Sequence, residues 1–274
     1  MRFKPLFAVA LFIAAGCSSS NMIRPGDTLD VAFQKAQNLY EQEKYTEAAE
    51  AFETVDSIGR GTDIGQDAQF LLAETYFNDK RYMMSAAEFE RYVLFYPNSP
   101  RREEVDFKIG KSYYYMSPRY KLDQTNTRKA IEQFRLFNSR YPNSSRVQEA
   151  GELISEMREK LAEKKYSAAE FYMRNDRYRS AVLYFDLILD EFPDTQWAEK
   201  ALVNQIDAYI RYADNSVRNK QAERYRLAIE SYEKYIQLFP RQEGRSRAEN
   251  LYDEAVSSLE KMGEPISNLA TASN

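Results

Sequence analysis

A single helical pattern recurs five times along this chain, and it limits the possible folds more than any other feature. An aromatic residue or threonine is followed by a small residue three positions later, then by an aromatic residue four positions on, and in four copies by a proline eight positions further. These spacings place the first three side chains on one helix face, and the proline ends the helix because it lacks an N–H group. A helix with one apolar face cannot bury it alone, so the copies predict helices stacked on similar neighbours. The copies are Tyr45, Ala48 and Phe52; Tyr82, Ser85, Phe89 and Pro97; Thr127, Ala130, Phe134 and Pro142; Tyr178, Ala181, Phe185 and Pro193; and Tyr225, Ala228, Tyr232 and Pro240.

The segments before these helices carry a second apolar pattern. Its clearest copies lie 37 residues apart and are Leu72, Ala73 and Tyr76, and Ile109, Gly110 and Tyr113. Together the two patterns resemble the tetratricopeptide repeat, a helix–turn–helix unit of about 34 residues. The second-helix aromatic residues are 37, 45, 51 and 47 residues apart. Because these spacings exceed the repeat length, insertions are predicted, at Met116 to Thr127 and at Ala213 to Glu223.

The predicted fold is therefore all-α, a right-handed solenoid of about five tetratricopeptide-like helix pairs plus a C-terminal capping helix. Periodic strand patterns are absent, and the nine glycines and nine prolines lie mostly between helical segments. The helical pattern from Ser145 to Arg174 contains no proline, so one long helix is expected there. Arg245 to Met262 is the predicted capping helix, since a solenoid needs a terminal element to cover the apolar face of its last repeat.

The N-terminal segment has the features of a secreted lipoprotein. Residues 1–16 combine a basic end with an apolar stretch too short to span a bilayer, which predicts a signal peptide. The sequence Ala14-Ala15-Gly16-Cys17 resembles a bacterial lipobox, so Cys17 is the predicted lipidation site, and a buried structural thiol is the alternative. Ser18, in place of Asp after the cysteine, implies the outer membrane by the family sorting rule for lipoproteins. Residues 17–27 are expected to form a flexible tether and residues 263–274 a disordered tail.

The charge balance argues against a nucleic-acid-binding protein. The chain has 38 basic and 42 acidic residues. Loss of Arg2 and Lys4 with the signal peptide would leave 36 basic against 42 acidic residues. A nucleic-acid-binding domain needs a basic face, so nucleic acid is not an expected partner.

Most residues used in enzymatic chemistry are missing. The chain has no histidine, which excludes Ser-His-Asp and Cys-His arrangements and most zinc sites. Gly59, Gly61 and Gly65 lack the spacing and context of a phosphate-binding loop, so an inter-repeat loop is the favoured interpretation. The acidic residues leave a glycosidase-type carboxylate pair open, but solvated helix faces are favoured. The protein is expected to be no enzyme and to need no metal or cofactor, apart from a covalent lipid on Cys17.

A row of aromatic residues in the first helices predicts a binding groove. In the repeat fold, first-helix residues on one face line a concave groove, and an aromatic lining suits an extended apolar peptide. Packing of these rings in the inter-repeat core is the alternative. The row consists of Phe33, Phe70, Phe107 and Tyr166, with Tyr40, Phe77 and Tyr114 seven residues beyond the first three.

Four short segments extend the resemblance to a particular family. They are Tyr141-Pro142-Asn143-Ser144, Lys160-Leu161-Ala162, Tyr166-Ser167-Ala168-Ala169-Glu170-Phe171-Tyr172, and Phe192-Pro193-Asp194-Thr195-Gln196. With the lipobox and the elongated repeats, they resemble the BamD family, lipoproteins of the outer-membrane β-barrel assembly machinery. The resemblance implies a non-enzymatic protein, lipid-anchored in the outer membrane and facing the periplasm. It implies that repeats within residues 28–142 receive unfolded barrel precursors, and that repeats and capping helix within residues 143–262 hold the barrel protein BamA.

A protein of a different class remains as the alternative. Glycan-binding lipoproteins of the SusD type also build on a repeat scaffold and bind nutrients at the outer membrane. They are larger and form their sugar site from long inserted loops, for which this chain has little room. The protein that co-purifies from membranes, a barrel protein or a glycan importer, separates the two hypotheses.

Overall fold

The computed structural model describes residues 21–240 and 243–266. Within these ranges every regular element is an α-helix, eleven in all, which confirms the predicted all-α class. The helices form two compact units, with the boundary between Tyr96 and Pro97. This geometric boundary precedes the functional division expected between residues 142 and 143, which stays a prediction.

The first unit contains two helix pairs. They are α1 (Leu29–Glu41) with α2 (Tyr45–Ile58), and α3 (Asp63–Asn78) with α4 (Tyr82–Phe95). The side-chain oxygens of Thr28 and Thr62 accept hydrogen bonds from the backbone N–H groups of Val31 and Gly65. These threonines therefore act as N-caps and fix where α1 and α3 begin. Residues of α1, α2 and α3 share one apolar core around the fully buried Phe52.

The second unit contains three helix pairs and a final single helix. They are α5 (Arg102–Tyr115) with α6 (Thr125–Arg140), α7 (Val147–Arg174) with α8 (Tyr178–Glu191), α9 (Gln196–Asp214) with α10 (Arg218–Leu238), and α11 (Arg245–Met262). α11 packs on α9 and α10 and buries Ala248, Ala255 and Leu259 completely, as expected of a capping helix. α7 has 28 residues, which confirms the predicted long helix.

The residues of the repeated pattern pack as their spacing predicts. In the first four copies both the small residue and the second aromatic residue are fully buried. In the fifth copy Ala228 is fully buried, whereas Tyr232 is partly exposed and its ring centroid lies 4.5 Å from that of Tyr252 in α11. The fifth copy differs because α11, rather than another helix pair, covers it.

Two backbone features mark the helix ends. The residue before a repeat proline leaves the helical conformation, with φ/ψ of −126/61° at Tyr96 and −135/46° at Phe192, because the proline ring disfavours helix at the preceding residue. In three pairs the turn between the two helices contains a residue with positive φ: Glu43 (57°), Lys80 (60°) and Asp176 (55°). Each lies two positions before the tyrosine that begins the second helix, so the three turns share one register.

The prediction that residues Ala213 to Glu223 form an inserted loop is wrong. Only residues 215–217 lie between α9 and α10. The added residues lengthen the two helices instead, because Ala213 (0% exposed) and Ala222 (8%) find buried positions there. The polar residues among them lie on the exposed faces of those helices.

The other predicted insertion, Met116 to Thr127, is largely an irregular connection. Residues 116–124 join α5 to α6, and the last three residues of the predicted loop already belong to α6. The buried side chain of Gln124 holds the connection by donating hydrogen bonds to the backbone carbonyl oxygens of Arg119 (3.0 Å) and Leu122 (3.1 Å). The amide of Gln124 thus donates to backbone carbonyl groups that lie outside any helix and so have no helical hydrogen-bond partner.

Candidate functional site: aromatic residues of the first helices

In the first unit, Tyr40 and Phe77 lie at the C-terminal ends of α1 and α3. Tyr40 packs edge-to-face on Tyr45 at a centroid distance of 6.0 Å, and Phe77 packs in the same way on Tyr82 at 5.5 Å. The side-chain amide of Asn78 donates a hydrogen bond of 2.7 Å to the hydroxyl oxygen of Tyr40, which joins the ends of α1 and α3. All four rings are partly exposed, and we call them the turn-end aromatic cluster.

Phe33 and Phe70 lie further from the turns and differ in burial. Phe33 is partly exposed and packs edge-to-face on Phe52, with a distance of 6.2 Å between the ring centroids. Phe70 is only 8% exposed and packs against Phe89 (6.1 Å) and Tyr92 (6.0 Å) of α4. The prediction that Phe70 lies off the core is therefore wrong, because its position on α3 faces the partner helix of the same pair.

Phe107 has the same environment in the second unit. Its side chain is 6% exposed, and its ring centroid lies 5.5 Å from Phe134 and 5.3 Å from Phe137 of α6. The guanidinium of Arg146 covers the remaining face at 5.7 Å, within the range of a cation–π interaction. Phe107, like Phe70, is thus a core residue of its helix pair rather than part of a groove.

Tyr114 is partly exposed near the C-terminal end of α5, and its side chain reaches α7 of the second unit. Its hydroxyl donates a hydrogen bond of 2.7 Å to Oε2 of Glu156 in α7. Burial, together with this hydrogen bond, raises the pKa of Tyr114 to about 12. The phenol therefore stays protonated at physiological pH and keeps donating to Glu156.

Tyr166 is partly exposed on α7 and packs beside the tryptophan of the chain. Its ring centroid lies 5.0 Å from that of Trp197 and 5.9 Å from that of Phe185, and its hydroxyl accepts a hydrogen bond from the amide of Asn204. Burial raises the pKa of Tyr166. Lys200 lies 4.7 Å from the centroid of the Trp197 ring, so this aromatic pair also carries a cation.

The structure thus separates the seven residues of the predicted row. Two are buried core residues, and five are partly exposed. Sequence reasoning missed Tyr45, Tyr82 and Trp197 as members of the exposed aromatic surfaces. The first two could have been found, because each directly follows a tight turn and so must lie beside the end of the preceding helix. Binding of a peptide by these residues stays a prediction.

No group of three or more Asp, Glu, His or Cys residues within the described ranges is arranged to hold a metal ion. None of the helices in the same ranges is long and apolar enough to cross a bilayer. The predicted lipidation site, Cys17, lies outside the described residues.

Comparison with known proteins gives relatives that align with about four fifths of the chain. The chain is 24% identical over 220 residues to the outer membrane protein assembly factor BamD of Vibrio cholerae, covering 76% of this chain and 91% of the relative. It is 21% identical to BamD of Rickettsia prowazekii, with 77% and 85% covered. A putative BamD of Aquifex aeolicus is 25% identical, with 82% and 72% covered.

Among solved structures, two tetratricopeptide domains align with most of the chain. The TPR2AB domain of yeast Sti1, solved as a complex with pHSP90, has 13% identity and a TM-score of 0.39, covering 86% of this chain and 85% of that chain. The TPR domain of P58(IPK) has 13% identity and a TM-score of 0.41, with 86% and 67% covered.

A family model decides the affiliation. The relatives are named as assembly factors, and they confirm the expectation of a non-enzymatic protein. The model described as "YfiO: Outer membrane lipoprotein" matches residues 26–224, well over half of the chain and four of its five helix pairs. The chain therefore belongs to the YfiO family of outer membrane lipoproteins.

Proposed function

We propose that this protein is a non-enzymatic subunit of the outer-membrane β-barrel assembly complex. In this proposal the first unit binds unfolded barrel precursors, and the C-terminal repeats dock a BamA-like barrel protein. Membership of the YfiO family and similarity to proteins named as outer membrane protein assembly factors support this role. The protein would act from the periplasmic face of the outer membrane, held there by a lipid on Cys17.

The observation that carries the precursor-binding role is the turn-end aromatic cluster. Strands of outer-membrane barrels alternate apolar and polar residues and have aromatic residues near the membrane interfaces. A precursor strand therefore offers apolar side chains that partly exposed rings can contact. An aromatic pair contributes about 0.5–1.5 kcal/mol beyond the contribution of the area that it buries. A few such contacts therefore give reversible binding that tolerates different precursor sequences.

A peptide-binding experiment tests this role on the full-length protein. The probe is a fluorescein-labelled ten-residue peptide with alternating apolar residues and a terminal phenylalanine, followed by fluorescence anisotropy. Removing two rings of the cluster, with Tyr40→Ala and Phe77→Ala, should weaken binding roughly 5- to 140-fold, the equivalent of two aromatic contacts. Phe171→Ala is the control, because Phe171 is 54% exposed and belongs to the second unit. Unchanged affinity in a folded Tyr40→Ala, Phe77→Ala variant would refute the precursor site.

The docking role rests on the last helices of the second unit. α9, α10 and α11 share one core, in which Leu202, Ile206 and Leu259 are fully buried, so they form a single packed body on which a partner domain can rest. Purification of the complex from detergent-solubilised membranes tests the role. A β-barrel protein with periplasmic domains is the expected partner, and recovery of a glycan importer instead would overturn the proposal.

The lipid anchor is tested separately. Cys17→Ala should prevent lipidation and leave an unprocessed or soluble periplasmic protein. Mass spectrometry of the mature wild-type N-terminus should find a lipidated cysteine, and an unmodified Cys17 would end this part of the proposal. One lipidated residue tethers a protein without orienting it, so we expect the barrel partner to supply the orientation.

A further inference from the structure

A cleft of about 940 Å³ lies within the second unit, lined by residues of α6, α7 and α8. Its floor is apolar: Ile131, Leu161 and Phe192 are each less than 8% exposed and line it. Leu136 of α6 lies at the cleft with 48% of its surface exposed. The cleft thus offers apolar surface to a ligand that lies among these three helices.

The charged residues of the cleft are mostly basic. Five cationic side chains and two carboxylates line it, although the whole chain has a net charge of −4. Three of the cations have partners. Arg158 donates a hydrogen bond of 2.9 Å to Asp194, Lys165 lies 3.1 Å from Glu191, and Lys164 donates to a backbone carbonyl oxygen.

The guanidinium groups of the other two cations, Arg128 and Arg135, make no hydrogen bond or ion pair within the described part of the chain. Each interacts at longer range with one carboxylate, Arg128 with Asp123 and Arg135 with Asp194. Glu132 lies between them in the sequence of α6 and also lines the cleft, so this helix supplies two guanidinium groups and one carboxylate to the cleft. The two arginines are seven residues apart on one helix, which separates them by about 10.5 Å along the axis. Guanidinium groups bind carboxylates in a bidentate geometry, and the cleft therefore presents two such groups on residues about 10 Å apart along the axis of α6.

We propose that this cleft binds an acidic amphipathic helix of a partner protein. Two carboxylates of that helix, at positions i and i+7, would pair with Arg128 and Arg135, because the same seven-residue rise separates them. Apolar side chains at i+3 and i+4 would lie on the same face and contact Leu136 and the floor of the cleft. This is the helix-in-groove mode, in which an amphipathic helix places its apolar face into a groove.

A phospholipid fits the cleft less well. The headgroup of a common diacyl phospholipid carries one phosphate, whereas Arg128 and Arg135 are about 10 Å apart along the axis of α6. Only a ligand with charges at matched spacing engages both at once. The inference concerns a surface that the proposed precursor site does not use, so the two proposals can fail independently.

Crosslinking in living cells tests the proposal on the full chain. A photoreactive benzoyl-phenylalanine at position 136 should capture a protein, and mass spectrometry should map the adduct to a helix with acidic residues seven positions apart. The same group at position 183 is the control, because Leu183 is 58% exposed on α8 but does not line the cleft. It should not give this adduct.

Charge variants test the role of the arginines. Arg128→Glu with Arg135→Glu should lower the yield of the position-136 adduct at least ten-fold, the equivalent of about 1.4 kcal/mol. The milder pair Arg128→Gln with Arg135→Gln should lower it by a smaller factor and guards against misfolding. Arg179→Glu with Arg218→Glu makes the same charge change at exposed residues outside the cleft and should leave the yield unchanged.

Three results would overturn the proposal. They are a lipid adduct at position 136, an adduct whose protein segment lacks the acidic pair, and an adduct yield that no arginine variant lowers. Absence of any specific adduct at position 136 would likewise reject it. Normal barrel assembly in the same cells would then leave the proposed function intact.

Discussion

Replacing Gly110 by alanine should destabilise the protein, although alanine is the better helix former. Gly110 lies within α5, and an added Cβ would lie 2.7 Å from Cε1 and 2.9 Å from Cδ1 of Phe134. Phe134 is fully buried, and Phe107 packs against it at 5.5 Å between ring centroids. The ring therefore has no open space into which it can retreat.

The magnitude follows from two opposing contributions. Overpacking a well-packed core costs about 1–3 kcal/mol, while exchanging glycine for alanine inside a helix gains about 1 kcal/mol. The net loss in the free energy of unfolding should be roughly 0–2 kcal/mol. Gly151 is the matched control: it lies within α7, and nothing lies within 4 Å of its added Cβ. Gly151→Ala should therefore stabilise by about 0.5–1 kcal/mol.

Urea unfolding of both variants measures the steric contribution as a difference. Gly110→Ala should be less stable than Gly151→Ala by about 1–3 kcal/mol, with similar dependence on urea concentration. Adding Phe134→Leu should couple favourably with Gly110→Ala, because a smaller side chain relieves the contact. If Gly110→Ala stabilises the protein as much as Gly151→Ala does, the close packing of α5 on α6 described above is incorrect.

Three further substitutions test the packing and one ion pair. Ala181→Leu should cost about 1–3 kcal/mol in urea melts because Ala181 and Phe185 are fully buried, and unchanged stability would contradict the repeat register. Phe70→Ala should lower the free energy of unfolding by about 3–5 kcal/mol because it truncates a core residue. A near-neutral effect would instead support the prediction that Phe70 lines a groove. The hydrogen bond from Arg158 lowers the pKa of Asp194 below its ordinary value of 3.8, so its stabilisation is present above that pH and lost as the pH falls through the lowered value. Asp194→Asn should therefore be less stable than wild type at neutral pH, and thermal melts at falling pH should show the difference shrinking in acid.

Much of the fold follows from local chemistry that the sequence displays. The repeat prolines end α4, α6, α8 and α10 within two residues of the expected position, because proline acts on the backbone beside it. The small residue is buried in all five copies of the pattern, and the second aromatic residue in the first four, since spacing alone places them on one face. The insertion at Ala213 to Glu223 was beyond this reasoning, because polar residues are as typical of an exposed helix face as of a loop.

The candidate site shows that helical periodicity alone does not determine whether a side chain is exposed. Phe70 and Phe77 are seven residues apart, which places them on nearly the same face of α3, and the sequence predicts one environment for both. Their environments differ because α4 covers the middle of α3, whereas the turn at its end leaves Phe77 partly exposed. Exposure therefore depends on how far along the helix its partner extends, which only the packed structure provides.

The unbroken length of α7 has a mechanical consequence. Its 28 residues form a rod of about 42 Å, and it packs against α6, α8 and α9. A stiff rod of this length acts as a lever, since a tilt of about 5° at one end displaces the other by roughly 4 Å. Two short helices can bend at the turn that joins them, but α7 is continuous from Val147 to Arg174. We therefore expect a displacement near Val147 to be felt at the turn after Arg174.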